Sequence, residues 1–599
     1  MPRKKKVIEE SVFVPSKYQL DIFDFVQHGQ GNAVIEAVAG SGKSTTALKC
    51  LELIDSKYSI LLTSFNKQIQ EELKKKKDKL VNSKSIDCRT IHSIGKCILM
   101  TNYPGQIDEK PIRFKYSSYI KSNISSLSNG YYWKLNSKDR EKYIVNILRY
   151  VDFGRQYMCE NVNDMDFIEQ HYHIPTFNNE KEIALEVMEW GKNNIKTIDY
   201  TDMLWLPNVL HCKPYGFIYD WIVCDECQDI NVAQRMLLLM CTKMSTRMLF
   251  FGEKVQAIYS FMGSDYRSFD ELKKLPNTIA LPLSISYRCS KSVVNLAKKF
   301  NPKIEAREDA PEGSIRRDVS IEEINDGDMV LCRNNAPLLQ LYCKLSQLNK
   351  PAYIRGHDVG GSFKKLINDT KETELNRNLN NVGVFSKLYD NLINEIDTVM
   401  KKYGVTLDMA VEDESVESMY DQIQALYAIS EGMTTSEELI NKIDLLFSDR
   451  KKKGIELSTI HKAKGLEADN VFICCPSLMP AKSAKEPWEI EQEFNLEYVA
   501  YTRAKNNLSF LDEKDFTAYS SSSQQKASDI ERIKKLIFVL YGDNERCKTK
   551  NLSRDAALHI IQNKKPIEVK TSKSIDLGQM NKNTSFSGFM PIRKSRKKR

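Results

Sequence analysis

Two short segments of this chain carry residue types that do phosphate chemistry. The first is Ala37-Val38-Ala39-Gly40-Ser41-Gly42-Lys43-Ser44-Thr45-Thr46, behind the run Val34-Ile35-Glu36 and ahead of a helical pattern. Glycines let a backbone curl until successive N–H groups point at phosphate oxygens. A lysine placed next reaches the β and γ groups, and the following hydroxyl ligates Mg2+. Ala39, Gly40, Ser41, Gly42, Lys43, Ser44 and Thr45 are therefore candidates to hold a nucleotide on the N-terminus of the next helix, where the dipole favours negative charge. Ala37 stands where the pattern G-x-x-x-x-G-K-S/T opens on glycine, a change tolerated by a loop that needs no positive φ there. The second segment, Ile222-Val223-Cys224-Asp225-Glu226-Cys227-Gln228-Asp229, reads as a buried parallel strand with two carboxylates at its carboxyl end. That is the edge where open α/β sheets bind ligands. Asp225 is expected to hold Mg2+ together with Ser44, and Glu226 to orient or deprotonate an attacking water. Cys224 and Cys227 spell C-x-x-C, but no second pair lies nearby, so they read as small packing residues.

Further segments follow in order along the chain: Lys17-Tyr18-Gln19, Ser64-Phe65-Asn66-Lys67, Thr90-Ile91-His92-Ser93, Asp199-Tyr200-Thr201-Asp202-Met203-Leu204, Gly252-Glu253-Lys254-Val255-Gln256, Tyr259-Ser260-Phe261, Ser286-Tyr287-Arg288, Thr459 to Glu467, and Tyr498 to Ala504. With the two phosphate motifs, this set resembles the UvrD/Rep-type helicases of superfamily 1, over most of the chain. The resemblance implies two RecA-like domains, 1A and 2A, that sandwich ATP and carry single-stranded DNA across their tops, with helical insertions 1B and 2B. It implies that Gln19 reads the adenine edge, a task an amide suits because it pairs with both N6 and N7. Tyr287 would stack on adenine and Glu467 would meet the ribose. Gln256, Arg288 and Arg503 would meet the γ-phosphate, the two guanidiniums neutralising transition-state charge only when the cleft shuts. The track is implied to include Phe65, Asn66, Thr90, His92, Tyr259, Phe261, Thr459 and His461. Aromatic stacking is worth about 1 to 3 kcal/mol per base without reading its identity, which suits a motor that must walk any sequence. Two departures stand out. Phe65 lies one place before Asn66, where the family has its aromatic two places before, and Glu253 replaces the family's aspartate.

The elements that position these residues give the fold class: α/β, two RecA-like parallel-sheet domains with helical insertions. The expected boundaries are 1–95 and 200–282 for 1A, 96–199 for 1B, 283–365 and 452–515 for 2A, and 366–451 for a short 2B. Residues 516–599 read as a serine-rich link, a helix near Ile530 to Tyr541 and a disordered basic tail. The 599 residues and 41% hydrophobic content allow several cores. No apolar run reaches the roughly 18 residues of a membrane span, and the basic start lacks the apolar segment of a secretory signal. Fourteen cysteines without a framework spacing fit reduced thiols. The net charge of +9 is concentrated at the ends, in Arg3, Lys4, Lys5 and Lys6 and in Arg593, Lys594, Arg596, Lys597, Lys598 and Arg599, so the body between is close to neutral. A nucleic-acid groove must then be a local feature. The basic ends fit a nuclear or viral replication site, otherwise the cytoplasm. Glu568-Val569-Lys570 spells half of a nuclease motif, but lacks the upstream carboxylate on a paired strand that a nuclease needs.

The expectation is an ATP-dependent DNA helicase, working with Mg2+ on single-stranded and forked DNA as a monomer. Its polarity is 3′ to 5′ by resemblance, and its setting is replication, repair or recombination. Replication or recombination proteins are expected as partners of the C-terminal tail. Two other uses of the residues stay open: a translocase that strips proteins from single strands, and a nucleic-acid-binding scaffold with a decayed ATPase. RNA is also open as the track, because phosphate and stacking contacts barely distinguish sugars.

Overall fold

The computed structural model describes residues 13–516 apart from 65–66, 79, 175, 260–262, 264, 266, 356, 378–381, 404–413, 447–452, 482–483 and 485. Both basic ends, the serine-rich link, the helix expected near Ile530 and the Glu568-Val569-Lys570 motif lie outside the described residues.

The first sheet contains β1 (Asn32–Ala37), β2 (Ile60–Ser64), β3 (Ile86–Thr90), β4 (Tyr219–Asp225), β5 (Thr242–Gly252) and β6 (Thr278–Leu283), in the order β3-β2-β4-β5-β1-β6. Every neighbouring pair is parallel. A parallel sheet must be covered on both faces, and successive side chains of a strand point to opposite faces. Here Ile35, Leu62, Val223 and Phe251 pack on one side with Ile22, Phe25 and Leu51 of the helices Lys17–His28 and Lys43–Leu53. Val34, Leu61, Ile222 and Phe250 pack on the other. That second face shares one continuous core with Ile94, Ile120, Ile147, Ile168, Val187 and Leu204, from the helices that intervene between β3 and β4. Cys224 and Cys227 are buried in the same core.

A two-stranded parallel ribbon, β7 (Ile285–Ser286) with β8 (Glu305–Ala306), leads into the second sheet. This sheet is formed by β9 (Ser314–Val319), β10 (Met329–Cys332), β11 (Ala352–Ile354), β12 (Ile455–Thr459), β13 (Ala468–Ile473) and β14 (Ala504–Leu511), in the order β11-β12-β10-β13-β14-β9. Again all pairs are parallel. Between β11 and β12 lie the helices His357–Thr370, Val384–Tyr403, Glu414–Ile429 and Ser436–Leu446. The helix Ile91–Asn102 runs across the expected 95/96 boundary and His357–Thr370 across 365/366. In the latter, Phe363 and Ile367, one turn apart, are both buried, so the apolar face continues through the boundary. No helix among the described residues is long and apolar enough to cross a membrane.

Candidate active site

The loop after β1 is shaped by Gly40 and Gly42, at φ +71° and +79°, a region that residues with a Cβ enter only with strain. Gly42 is the N-cap of the helix Lys43–Leu53, and no side chain caps that end. Ser41 is buried, and its Oγ has no hydrogen-bond partner. A buried hydroxyl left unpaired costs free energy, so an uncapped helix N-terminus beside it fits a phosphate chain that supplies acceptors. Ser44 Oγ donates to Asp225 Oδ2 at 2.9 Å across the carboxyl ends of β1 and β4. One hydroxyl and one carboxylate are a donor set that fits Mg2+, which keeps waters and phosphate oxygens as its remaining ligands. Among the described residues no group of three or more His, Cys, Asp or Glu side chains forms a cage for a metal.

Lys43 Nζ lies 3.0 Å from Glu226 Oε1. Burial works against the Lys43 charge, but Glu226, Asp225 and Glu253 outweigh it and its pKa rises. Burial likewise opposes the Glu226 charge, yet Lys43 and then Lys464 bring its pKa down to about 2. Asp225, buried beside that carboxylate, is pushed up to about 6. Two lysines thus favour the charged form of Glu226, which suits an acceptor for the hydrogens of a water. Its backbone sits at φ +55°, and its N–H donates to Asp225 Oδ1 at 2.9 Å. Holding a side-chain-bearing residue there costs on the order of 1 to 3 kcal/mol, the kind of strain that clusters at functional sites. Gln228 Nε2 donates to Glu226 Oε2 at 2.6 Å and fixes its second oxygen.

The second sheet closes this site from the other side. Tyr287 N–H donates to the Gly40 carbonyl at 2.8 Å. A Cβ on Gly40 would lie 2.4 Å from Arg288 Cβ, so the loop passes the arginine only as glycine. Arg288 Nε donates to Glu467 Oε2 at 2.7 Å and Nη1 to the Thr502 carbonyl at 3.3 Å. Arg503 is 1% exposed; its Nε donates to the Val499 carbonyl at 2.9 Å and Nη1 to the Leu466 carbonyl at 3.2 Å. Burial, then the neighbouring Arg288, lower its pKa to about 10, which leaves it charged at neutral pH. Gln256 Nε2 donates to Glu253 Oε2 at 2.5 Å. Lys464, reaching over from the segment after β12, places Nζ 2.6 Å from Asp229 Oδ2 and 2.7 Å from the Gln256 carbonyl.

Gln19 is buried between two helices. Its Oε1 accepts the Ser16 N–H at 2.9 Å, and its Nε2 donates to Thr46 Oγ1 at 2.9 Å. One amide hydrogen and one carbonyl lone pair remain for an adenine edge. Thr45 and Tyr287 are exposed at the cleft. Glu467, expected at the ribose, pairs with Arg288 and, at 3.0 Å, with Lys505. Two opposite charges on its own side of the cleft hold it there.

Of the expected strand contacts, Phe65, Asn66 and Phe261 lie outside the described residues. Thr90 caps the helix Ile91–Asn102 by accepting the Ser93 N–H at 3.2 Å, and His92 follows, half-buried, its pKa lowered to about 4 by burial. Thr459 is buried at the end of β12. His461 is also kept neutral by burial, its pKa lowered to about 3. Tyr259 differs from an open stacking platform: its hydroxyl donates to the His461 carbonyl at 3.2 Å, and Lys464 Nζ stands 4.8 Å from its ring centroid. The ring packs on the core that holds Val38, Ile258 and Ile460, which draws it in as an apolar strut between the sheets. Sequence reading also missed Lys464, Asp229 and Tyr498 as members of the site, although each lies inside a segment it had singled out.

Comparison with known proteins agrees with this geometry. Residues 21–277 match the family model of the UvrD/REP helicase N-terminal domain, and residues 454–511 match that of the UvrD-like helicase C-terminal domain. The chain is 25% identical over 516 residues to F-box DNA helicase 1 of Gallus gallus, covering 79% of this chain and 46% of that protein. It is 24% identical over 503 residues to F-box DNA helicase protein 1 of Schizosaccharomyces pombe, covering 79% and 55%. The chain thus spans about half the length of these two relatives. It is also 22% identical over 607 residues to the probable DNA helicase II homolog of Rickettsia conorii, covering 81% of this chain and 90% of that one. Motifs, paired parallel sheets and both matched models converge, and the chain belongs to the UvrD/REP helicase family.

Proposed function

We propose that this chain hydrolyses ATP with Mg2+ to translocate along single-stranded DNA and separate duplexes, with 3′ to 5′ polarity, in replication, repair or recombination. The observation that carries the reading is the approach of Arg288 and Tyr287 to Gly40. It brings a cation that follows β7 against the loop that ends in Lys43. Lys43 and the uncapped helix end would bind the phosphates, and Ser44 with Asp225 would hold Mg2+. When bound, the metal supplies Lewis-acid neutralisation of phosphate charge. Glu226, ionised and steadied by Gln228, would take hydrogen bonds from the attacking water. Arg288 and Arg503 would offset charge developing on the transferred group, and because both come from the half of the chain across the cleft from Lys43, hydrolysis would depend on closure. Thr90, His92, Thr459 and His461 lie near the carboxyl ends of β3 and β12, where a strand could be gripped from both bodies in alternation.

The test is steady-state ATP turnover with and without a single-stranded oligonucleotide, beside strand separation on tailed duplexes of both polarities. Glu226→Gln and Lys43→Ala should each lower DNA-stimulated turnover by on the order of a thousandfold while binding to single-stranded DNA stays measurable. Ordinary turnover in either variant removes the site assignment.

A further inference from the structure

One hydroxyl of the second body reaches both the phosphate loop and the Gln256 segment. Tyr498, on the helix Pro487–Tyr501, is fully buried, and its Oη accepts the Ala39 N–H at 3.2 Å while donating to Glu253 Oε1. The other oxygen of Glu253 accepts the Gln256 amide at 2.5 Å. Ala39, Glu253 and Gln256 all follow strands of the first sheet, β1 and β5; Tyr498 alone comes from the second body. Its ring packs among Val293, Leu496 and Phe510, with Phe300 edge-on at 6.4 Å. The hydroxyl therefore goes where the second body goes. If the bodies part, the Ala39 N–H loses its acceptor, and the Glu253 carboxylate loses one of its two donors. With Oε1 no longer held, the Glu253 side chain is free to turn, and Gln256, bonded to Oε2, turns with it. The length of the side chain matters here. Glutamate reaches Tyr498 with one oxygen and Gln256 with the other, whereas aspartate at this position is one methylene shorter.

We propose that Tyr498 is a positioning residue for nucleotide hydrolysis, which makes the orientation of Gln256 conditional on closure of the second sheet by way of Glu253. The inference rests on the ATP hydrolysis proposed above. Tyr498 touches no phosphate; it acts through Glu253 and through the loop backbone.

The experiment uses the full chain and measures ATP turnover saturated with a thymidine oligonucleotide, for the wild type, Tyr498→Phe, Glu253→Gln and the double variant. Tyr498→Phe keeps the ring and its packing and removes only the oxygen. It should lower DNA-stimulated kcat roughly tenfold, the effect of one hydrogen bond to a charged group. The KM for ATP should stay within about twofold, because the lost interaction does not serve ground-state binding. The double variant should be no slower than the slower single variant, since both changes cut the same link. Glu253→Asp should behave like Tyr498→Phe. A wild-type kcat in Tyr498→Phe, a raised KM at unchanged kcat, or additive losses in the double variant overturn the assignment of Tyr498. A wild type that hydrolyses no ATP with DNA present overturns the parent reading as well, and that failure is recognisable because it appears before any substitution.

Discussion

Lys43 and Glu226 fix each other's charge, and each would be costly to bury alone. That mutual dependence is why Lys43→Ala and Glu226→Gln are not equivalent perturbations: the first strands a buried carboxylate, the second leaves a lysine still solvated by Asp225 and Glu253. Arg503 is preset differently, its Nε and Nη1 held by the Val499 and Leu466 carbonyls of its own body. Glu253 is the group nearest to neutrality. Burial raises its pKa to about 7, against the pull of Lys43, Tyr498 and Arg503 and with some help from Glu226. Above that value its carboxylate accepts from both Tyr498 and Gln256; below it, one oxygen carries a proton and can no longer do so. DNA-stimulated kcat should therefore decline as pH falls through about 7, and Glu253→Gln should lose that limb while its plateau sits lower. A pH profile with an unmoved limb in Glu253→Gln would assign the titration elsewhere. Legibility at this scale follows distance along the chain. Lys43 with Ser44, and Asp225 with Glu226, are adjacent and announce themselves, whereas the Tyr498–Glu253 bond joins positions 245 apart, so no spacing rule could reveal it.

A buried polar knot anchors the helices between β3 and β4. Asp202 receives Lys115 Nζ at 2.8 Å, Tyr116 Oη at 2.5 Å and Arg155 Nη1 at 2.8 Å, and Arg155 also reaches Asp199 at 2.8 Å. The side chains of Lys115, Asp202 and Arg155 are all at most 3% exposed. Removing one partner of such a cluster leaves uncompensated buried charge, and Asp202→Ala should cost about 3 to 5 kcal/mol in urea unfolding. Lys49→Ala, which breaks the half-exposed Lys49–Glu52 pair, should cost under about 1 kcal/mol by the same measurement. A loss of under about 1 kcal/mol in Asp202→Ala would show that the knot is not what holds these helices. The segment Asp199 to Leu204 was recognisable in the sequence, and so was β4, whose unbroken apolar run Trp221 to Cys224 marks double-sided burial. The partners of Asp202 were not. Lysine and arginine in amphipathic helices ordinarily face water, and nothing local distinguishes Lys115 or Arg155 from their neighbours.

Across the whole molecule the two halves meet through polar contacts spread along the seam, among them Tyr18 with Glu305, Lys303 with Glu36, Tyr287 with Gly40, Lys464 with Asp229 and Tyr498 with Ala39, and through an apolar core that holds Val38 and Ile258 beside Ile460 and Val293. Strand order within each sheet was beyond sequence reading, because crossovers such as β1 lying between β5 and β6 are set by packing of distant segments. That Asp225 and Glu226 stand at the carboxyl edge of their sheet was readable, since parallel sheets collect ligands there. A nucleotide lodged between Lys43 and Arg288 would add a bridge to this seam, and binding to the native state alone stabilises it by mass action. At a concentration about a hundredfold above Kd the gain is roughly 2.7 kcal/mol. A non-hydrolysable ATP analogue with Mg2+ should therefore raise the thermal unfolding midpoint of the chain by a few degrees. Chelation with EDTA should remove part of the rise, because Ser44 and Asp225 then face each other without the metal that joins them to phosphate. Lys43→Ala should remove nearly all of it. Glu226→Gln should keep it, since Glu226 is assigned to the water and not to the phosphates. Loss of the rise in Glu226→Gln with its retention in Lys43→Ala would reverse these two roles, because binding and chemistry would then be seated on the opposite strands.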